Sequence, residues 1–153
     1  MAFTLKNEVV LAASPERVWE AINDPEILRA SIPGCEELEK TGEGAYTATV
    51  RIKIGPISAR FKGAVSFTDV EAPNSFRLVG EGQGGMAGFA KGGARVQLTP
   101  EGDSTRLAYD VEADIGGKIA QLGSRLIDGV AKKLSDKFFT DFAAAVESAE
   151  AAA

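Results

Sequence analysis

The sequence predicts an α+β domain in which a seven-stranded, curved antiparallel sheet wraps around one long C-terminal helix. Three observations carry this. Residues 35–115 alternate apolar and polar side chains in successive strand-length runs separated by turn residues. No segment of helical period interrupts them, so a parallel crossover does not fit. One apolar stripe, at steps of three and four, then runs through residues 118–149. Two short helices stand between the first strand and the other six.

Each element has a local cause. "FTLKNEVVL" (3–11) alternates loosely and reads as the first strand. In "SPERVWEAINDPEIL", Ser14 is a natural N-cap, Pro15 takes the first helical position, and Glu16 and Glu20 suit the early turns. Val18, Trp19 and Ile22 share the face that packs. Asp24-Pro25 breaks this helix, and "EILRASIPGC" gives a second short one stopped by Pro33-Gly34. Tyr46, Ala48, Val50, Ile52 and Ile54 then alternate with Thr47, Thr49, Arg51 and Lys53, as in a strand buried on one face. Gly55-Pro56 turns the chain into Ile57, Ala59, Phe61, Gly63, Val65 and Phe67. Pro73-Asn74 turns it into "SFRLVGEGQG", and "PEGDS" precedes Leu107, Tyr109, Val111, Ala113 and Ile115. In the last helix Ile119, Leu122, Leu126, Val130, Leu134, Phe138 and Phe142 form the stripe. Phe139 lies off it, as a second contact or an exposed patch. The domain is expected to span 1–147, followed by a flexible alanine-rich tail over 148–153.

"GEGQGGMAGFAKGGA" (80–94) opens with the spacing of a dinucleotide-binding loop, at Gly80, Gly82 and Gly85. That mechanism needs a helix directly after the glycines to present free N–H groups to phosphate. Here three more glycines follow, and then Ala94, Val96 and Leu98 alternate with Arg95, Gln97 and Thr99, which is the period of a strand. The glycines therefore serve the sheet: they permit sharp bending and leave space where side chains would fill the centre. Gly123 and Gly129 interrupt the long helix on or beside the region facing that sheet. Together they predict an apolar hollow of ~300–1,000 Å³ between sheet and helix. Close helix-on-sheet packing is the other arrangement that glycines permit.

Composition narrows the function. With 44% hydrophobic residues, 25% charged residues and a net charge of −5, the chain is an ordinary acidic globule without a basic run, which argues against nucleic-acid binding. No stretch approaches a spanning helix and the N-terminus lacks a signal-peptide pattern, so a cytoplasmic location is expected. One cysteine, Cys35, excludes an internal disulfide and a thiolate metal site. No histidine is present. Ser-His-Asp and Cys-His catalysis and imidazole metal ligation are thereby removed, and neither a catalytic residue nor a metal site is expected. Acid–base chemistry could fall only to carboxylates, lysines, Tyr46 or Tyr109. Glu112 and Asp114 fall outward by alternation, so they do not make a carboxylate pair.

The segments "SPERVWEAINDPEILRASIPGCEEL", "GPISARFKGAVSFTDVEAPNSFRLVGEGQGGMAGFAKGGARVQL" and "GSRLIDGVAKKLSDKFF" resemble the CoxG family of carbon monoxide dehydrogenase accessory proteins, within the helix-grip (START/Bet v-like, SRPBCC) superfamily. The resemblance covers most of residues 5–142. It implies a small accessory protein of a molybdenum CO dehydrogenase-type enzyme, with a lipophilic cavity, working at the inner face of the cell membrane and helping electrons reach the quinone pool. The implied partners are that complex, a quinone or lipid, and a peripheral membrane contact; the implied cofactor is a bound quinone, with none covalent or metallic. Many family members continue to an amphipathic or apolar C-terminal anchor. This sequence runs to "ESAEAAA", and autonomous anchoring is not expected of it.

The ligand-binding residues expected from strand alternation and the helix stripe are Ile52, Ile54, Phe61, Met86, Phe89, Tyr109, Val111, Leu122, Gly123, Leu126 and Val130. Tyr109 would bring a phenol that needs a partner, which a quinone carbonyl or the protein backbone could supply. Cys35 reads as a small buried hydrophobe, its thiol raised by nearby glutamates. Lys118, Arg125 and Lys132 share the outer helix face, as a docking strip or as a solvated polar face diluted by Asp128 and Asp136. The sequence thus points to a non-enzymatic carrier. A polyketide cyclase or hydratase on the same fold and a filled docking module are its rivals.

Overall fold

The structure, a computed structural model, describes residues 1–147 in full and the helical backbone of 148–152. The flexible tail expected over 148–153 lies outside the fully described residues. The chain runs β1 (Ala2–Leu11), α1 (Pro15–Ile22), α2 (Pro25–Ser31), β2 (Cys35–Gly42), β3 (Ala45–Ile54), β4 (Ile57–Glu71), β5 (Ser75–Gln83), β6 (Phe89–Glu101), β7 (Ser104–Gly116) and α3 (Ser124–Ala152). All seven strands form one antiparallel sheet in the order β1-β7-β6-β5-β4-β3-β2, with β1 and β2 at the edges. The expected sheet and long C-terminal helix are both present. No helix of dinucleotide-binding kind starts at Gly85. Residues 85–87 make a single 3-10 turn between β5 and β6.

Local chemistry sets the helix starts. The Ser14 hydroxyl accepts the Arg17 N–H at 3.2 Å, and the Asp24 carboxylate accepts the Glu26 N–H at 3.0 Å, each satisfying an otherwise free donor. In α1, Val18 and Ile22 are buried and Trp19 lies 5.0 Å from Phe76 and 5.8 Å from Phe67, ring centre to ring centre. Tyr46 donates its hydroxyl to the Asn23 carbonyl at 3.2 Å, tying β3 to the end of α1.

The long helix begins later than the stripe suggests. Residues 118–122 form a 3-10 turn, and Gly123, at φ 92°, ends it in a conformation that a right-handed helix cannot continue. The break resets the helical phase. Ile127, not Leu126, becomes the buried residue of the first turn, while Leu126 is left 36% exposed. Gly129 is also exposed, so it does not face the sheet. Phe139 makes a second contact and not an exposed patch, its ring stacking on Tyr109 at 5.1 Å.

The sheet bends where inward glycines let backbones close on one another. A Cβ at Gly92 would lie 2.1 Å from the Glu112 carbonyl oxygen, and one at Gly63 would lie 2.8 Å from that of Glu81. At Gly80 it would meet the Ala64 carbonyl oxygen and Val65 Cγ2, both at 3.0 Å. Gly82, by contrast, faces open space, with nothing within 4 Å of a Cβ. Two substitutions separate these roles. Gly92→Ala should lose about 1–3 kcal/mol of unfolding free energy through overpacking. Gly82→Ala should change it little or raise it by up to ~1 kcal/mol through the unfolded chain. Urea unfolding of both variants checks the pair.

Burial, with Glu43 and Asp24 adding repulsion, pushes the Tyr46 phenol above its ordinary value. A raised folded value means that this stability is complete below the unfolded phenol's pKa, about 10, and is lost as pH rises through the folded value. Tyr46→Phe should lose about 1 kcal/mol at neutral pH. Above pH ~10 its stability should decline less steeply than that of the wild type, as urea titrations at several alkaline pH values would show.

Candidate functional site

The interior is packed at two ends and bare between them. One core joins β1, α1, β5–β7 and the C-terminal half of α3 through Leu11, Val18, Phe76, Val96, Leu107, Tyr109, Phe142 and Val146. A second joins the two 3-10 turns to the β3–β4 hairpin and the start of α3 through Ala87, Ile115, Ile119 and Ile127, with Ile54, Ile57 and Phe61 against them. The strand register shows what lies between. One inward row reads Ala48, Gly63, Gly82, Ala90 from β3 to β6, and the next reads Tyr46, Val65, Gly80, Gly92, Ala113 from β3 to β7. Apart from the ends of these rows, the floor is glycine, alanine and one valine.

The approaches of α3 are chiefly to β1, α1, α2, β3 and the preceding 3-10 turn. Val130 and Leu134 stand half-buried at the middle of the span. Val65 shares its face with Phe67, which packs against Trp19 and Phe76, yet it is 37% exposed. Solvent therefore reaches the inner face of the sheet at its middle. The inward positions of β3, β5, β6 and β7, and of β4 through Phe67, hold no charged side chain. Their only ionisable groups are the phenols of Tyr46 and Tyr109.

The residues expected to line the site divide into three groups. Ile52, Ile54 and Phe61 are half-buried on the inner face, with Ile54 and Phe61 packed into the second core. Tyr109 and Val111 belong to the first core, where Tyr109 is 8% exposed. Met86, Phe89, Gly123 and Leu126 sit outside. Met86 is 81% exposed on its turn, and Gly123 opens on empty space. Phe89 has the outward parity of β6 and lies over Gly116, where a Cβ would come 2.3 Å from its ring. Leu126 seats on Gly55 of the β3–β4 turn. Leu122 and Val130 are half-buried. The floor residues Ala48, Gly63, Val65, Gly82 and Ala113 are absent from the expected set. Alternation already places them inward, and small size at those positions is the usable signal.

The other candidates are quiet. Cys35 is partly buried with its thiol 3.4 Å from the Glu37 carbonyl, and burial, more than any neighbouring charge, pushes it up. Lys118, Arg125 and Lys132 are exposed, and Lys132 pairs with Asp136 at 3.0 Å. Among the described residues no cluster of three His, Cys, Asp or Glu could hold a metal, and no helix is long and apolar enough to cross a membrane. Grooves of about 410 and 760 Å³ do exist, but on the outer face of the sheet, between charged side chains such as Lys62, Arg77, Glu81, Lys91 and Arg95. They are not the apolar space expected under the helix.

A family model for the carbon monoxide dehydrogenase G-subunit (CoxG) matches residues 8–147. Among solved structures, a conserved protein from Geobacillus kaustophilus is 33% identical with a TM-score of 0.89, covering 95% of this chain and 96% of that one. The protein TTHA0849 from Thermus thermophilus is 19% identical at a TM-score of 0.70, covering 96% and 99%. The Zhui aromatase/cyclase from Streptomyces sp. R1128 is 12% identical at 0.71, covering 96% and 94%. The last two likenesses concern the fold alone. None of the curated proteins matches the chain.

The openness of the floor can be probed chemically. In a Cys35→Ser background, Val65→Cys should react with a maleimide at a rate near that of an exposed thiol. Val96→Cys, 5% exposed in the packed core, should be protected by orders of magnitude. Equal protection of the two would mean that the middle is closed.

Proposed function

The chain belongs to the CoxG family of carbon monoxide dehydrogenase, and from that premise we propose that it is a non-enzymatic carrier of a lipophilic ligand. The ligand is a quinone or lipid tail held between α3 and the glycine-alanine floor of the sheet. The protein serves a molybdenum CO dehydrogenase-type enzyme on the cytoplasmic side and links it to the membrane quinone pool. The single observation that carries the reading is the bare floor between two packed cores. Cores are normally filled to crystal-like density, so an inner face of glycine and alanine that solvent reaches is room for something else.

The chemistry of the lining favours an uncharged guest. A buried carboxylate or phosphate would need a paired cation or several donors, and the inward positions of β3–β7 supply none. A flat ring and an isoprenoid or acyl chain lose nothing by entering. A cyclase-type reaction needs a group to move a proton in the cavity, and on this face that work would fall to the phenols of Tyr46, which is already bonded to the Asn23 carbonyl, and Tyr109.

Filling the floor tests this. Gly82 has room above it and needs no unusual backbone angle, so Gly82→Leu should occupy the space, as should Val130→Trp from the helix side. Affinity for a short-chain quinone analogue, measured by equilibrium dialysis, should fall about tenfold or more, each decade being about 1.4 kcal/mol. Melting temperature should hold or rise, because a void is being filled. Lys132→Ala, on the outer helix face, should change neither. Unchanged affinity in both filled variants would remove the carrier reading.

A further inference from the structure

The sheet has two edges, and they are guarded unequally. β2 is interrupted: its register with β3 slips at Cys35/Glu37 and at Lys40/Gly42, and Arg29 donates to the Glu36 carbonyl at 3.1 Å. Such breaks keep a strand from accepting a new neighbour. β1 has none of them, and its ten residues pair with β7 in unbroken register. Met1 and Ile115 exchange both backbone bonds, at 2.9 and 2.8 Å, so Phe3, Leu5, Asn7 and Val9 bond to β7 in turn. The amides and carbonyls of Ala2, Thr4, Lys6, Glu8 and Val10 then point away from the sheet. Among the described residues only the Glu8 N–H of this set finds a partner, the Asn7 side chain at 2.8 Å. All five side chains are exposed, while Leu5 and Val9 pack inward against the first core.

About Asn7 this edge is complementary to itself. At equal distances on either side stand Lys6 and Glu8, Leu5 and Val9, Thr4 and Val10, and Phe3 and Leu11. An antiparallel strand of the same sequence, centred on Asn7, therefore meets a matching residue at every position. Each Lys6 faces Glu8 of the second copy, each Thr4 faces a β-branched Val10, and Leu5 faces Val9 on the inner side. The charges are available for this. Glu8 accepts from Arg106 through one oxygen at 2.6 Å, and Lys6 has no ion pair among the described residues. The neighbouring registers set Lys6 on Lys6 or Glu8 on Glu8, so charge selects the centred one.

We propose that β1 pairs antiparallel with β1 of a second copy, in a two-fold dimer whose sheets run on as one. The proposal is independent of the carrier reading. Sedimentation velocity of the full chain from micromolar to near-millimolar concentration tests it, and a concentration-dependent dimer is expected. Amide exchange should slow at Thr4, Lys6 and Val10 as the dimer fills. Thr4→Pro removes one free-edge N–H and no bond to β7, so the chain should fold and the dimer should weaken about tenfold or more. Lys6→Glu should weaken it to a similar degree, by setting like charges opposite at both symmetric positions. Glu8→Lys should do the same. An equimolar mixture of these two charge variants should regain association, because each then meets its opposite. Circular dichroism checks that every variant is folded. A chain that stays monomeric throughout the range overturns the proposal. So does a dimer that Thr4→Pro and Lys6→Glu leave as strong as wild type, or a mixture that fails to associate.

Discussion

The architecture depends on one constraint: the backbones of the central strands must close on one another along the bend. Gly63, Gly80 and Gly92 stand inward where a single added carbon would meet neighbouring backbone at 2.1–3.0 Å. Their lack of side chains has two consequences at once. The sheet can curve tightly enough for its outer strands to reach the helix, and the concave face at the bend is left bare. Curvature and the bare concave face are therefore the same feature seen from the backbone and from the side chains.

A bare middle must be held open by what lies on either side. The aromatic set of Trp19, Tyr46, Phe67 and Phe76 and the stacked pairs Tyr109–Phe139 and Phe138–Phe142 fix one end of α3. Ile115, Ile119 and Ile127 fix the other. Between these clamps Val130 and Leu134 are half-buried. The inward side chains of this face carry no charge. A guest that removes these surfaces from water gains on the order of 25 cal/mol per Å² of apolar area, and no inward charge has to be desolvated.

Much of this is legible in the residues. Period-two alternation locates the strands from 45 onward, Ser14-Pro15 and Asp24-Pro25 mark both short helices, and the glycines of 80–93 announce a bend instead of a phosphate loop. The site is less legible, for physical reasons. A helical stripe assumes one continuous phase, and Gly123 interrupts it, so the stripe points to Leu126 where Ile127 is buried. Met86 and Phe89 are large and apolar, which predicts burial, but their turn carries them outward. The floor escapes any search for large side chains as lining. In a hollow, the informative positions are those where alternation demands a buried residue and the sequence supplies glycine or alanine, as at Ala48, Gly63, Gly82 and Ala113.

The central claim is that the bare floor exists to hold a neutral lipophilic molecule. Native mass spectrometry of the full chain, purified from a quinone-containing host and followed by solvent extraction, tests it most directly. The account predicts a bound species that leaves as a neutral, chain-bearing molecule, and whose occupancy drops when Gly82 is replaced by leucine. Protein recovered empty, or carrying the same adduct after that replacement, would contradict it.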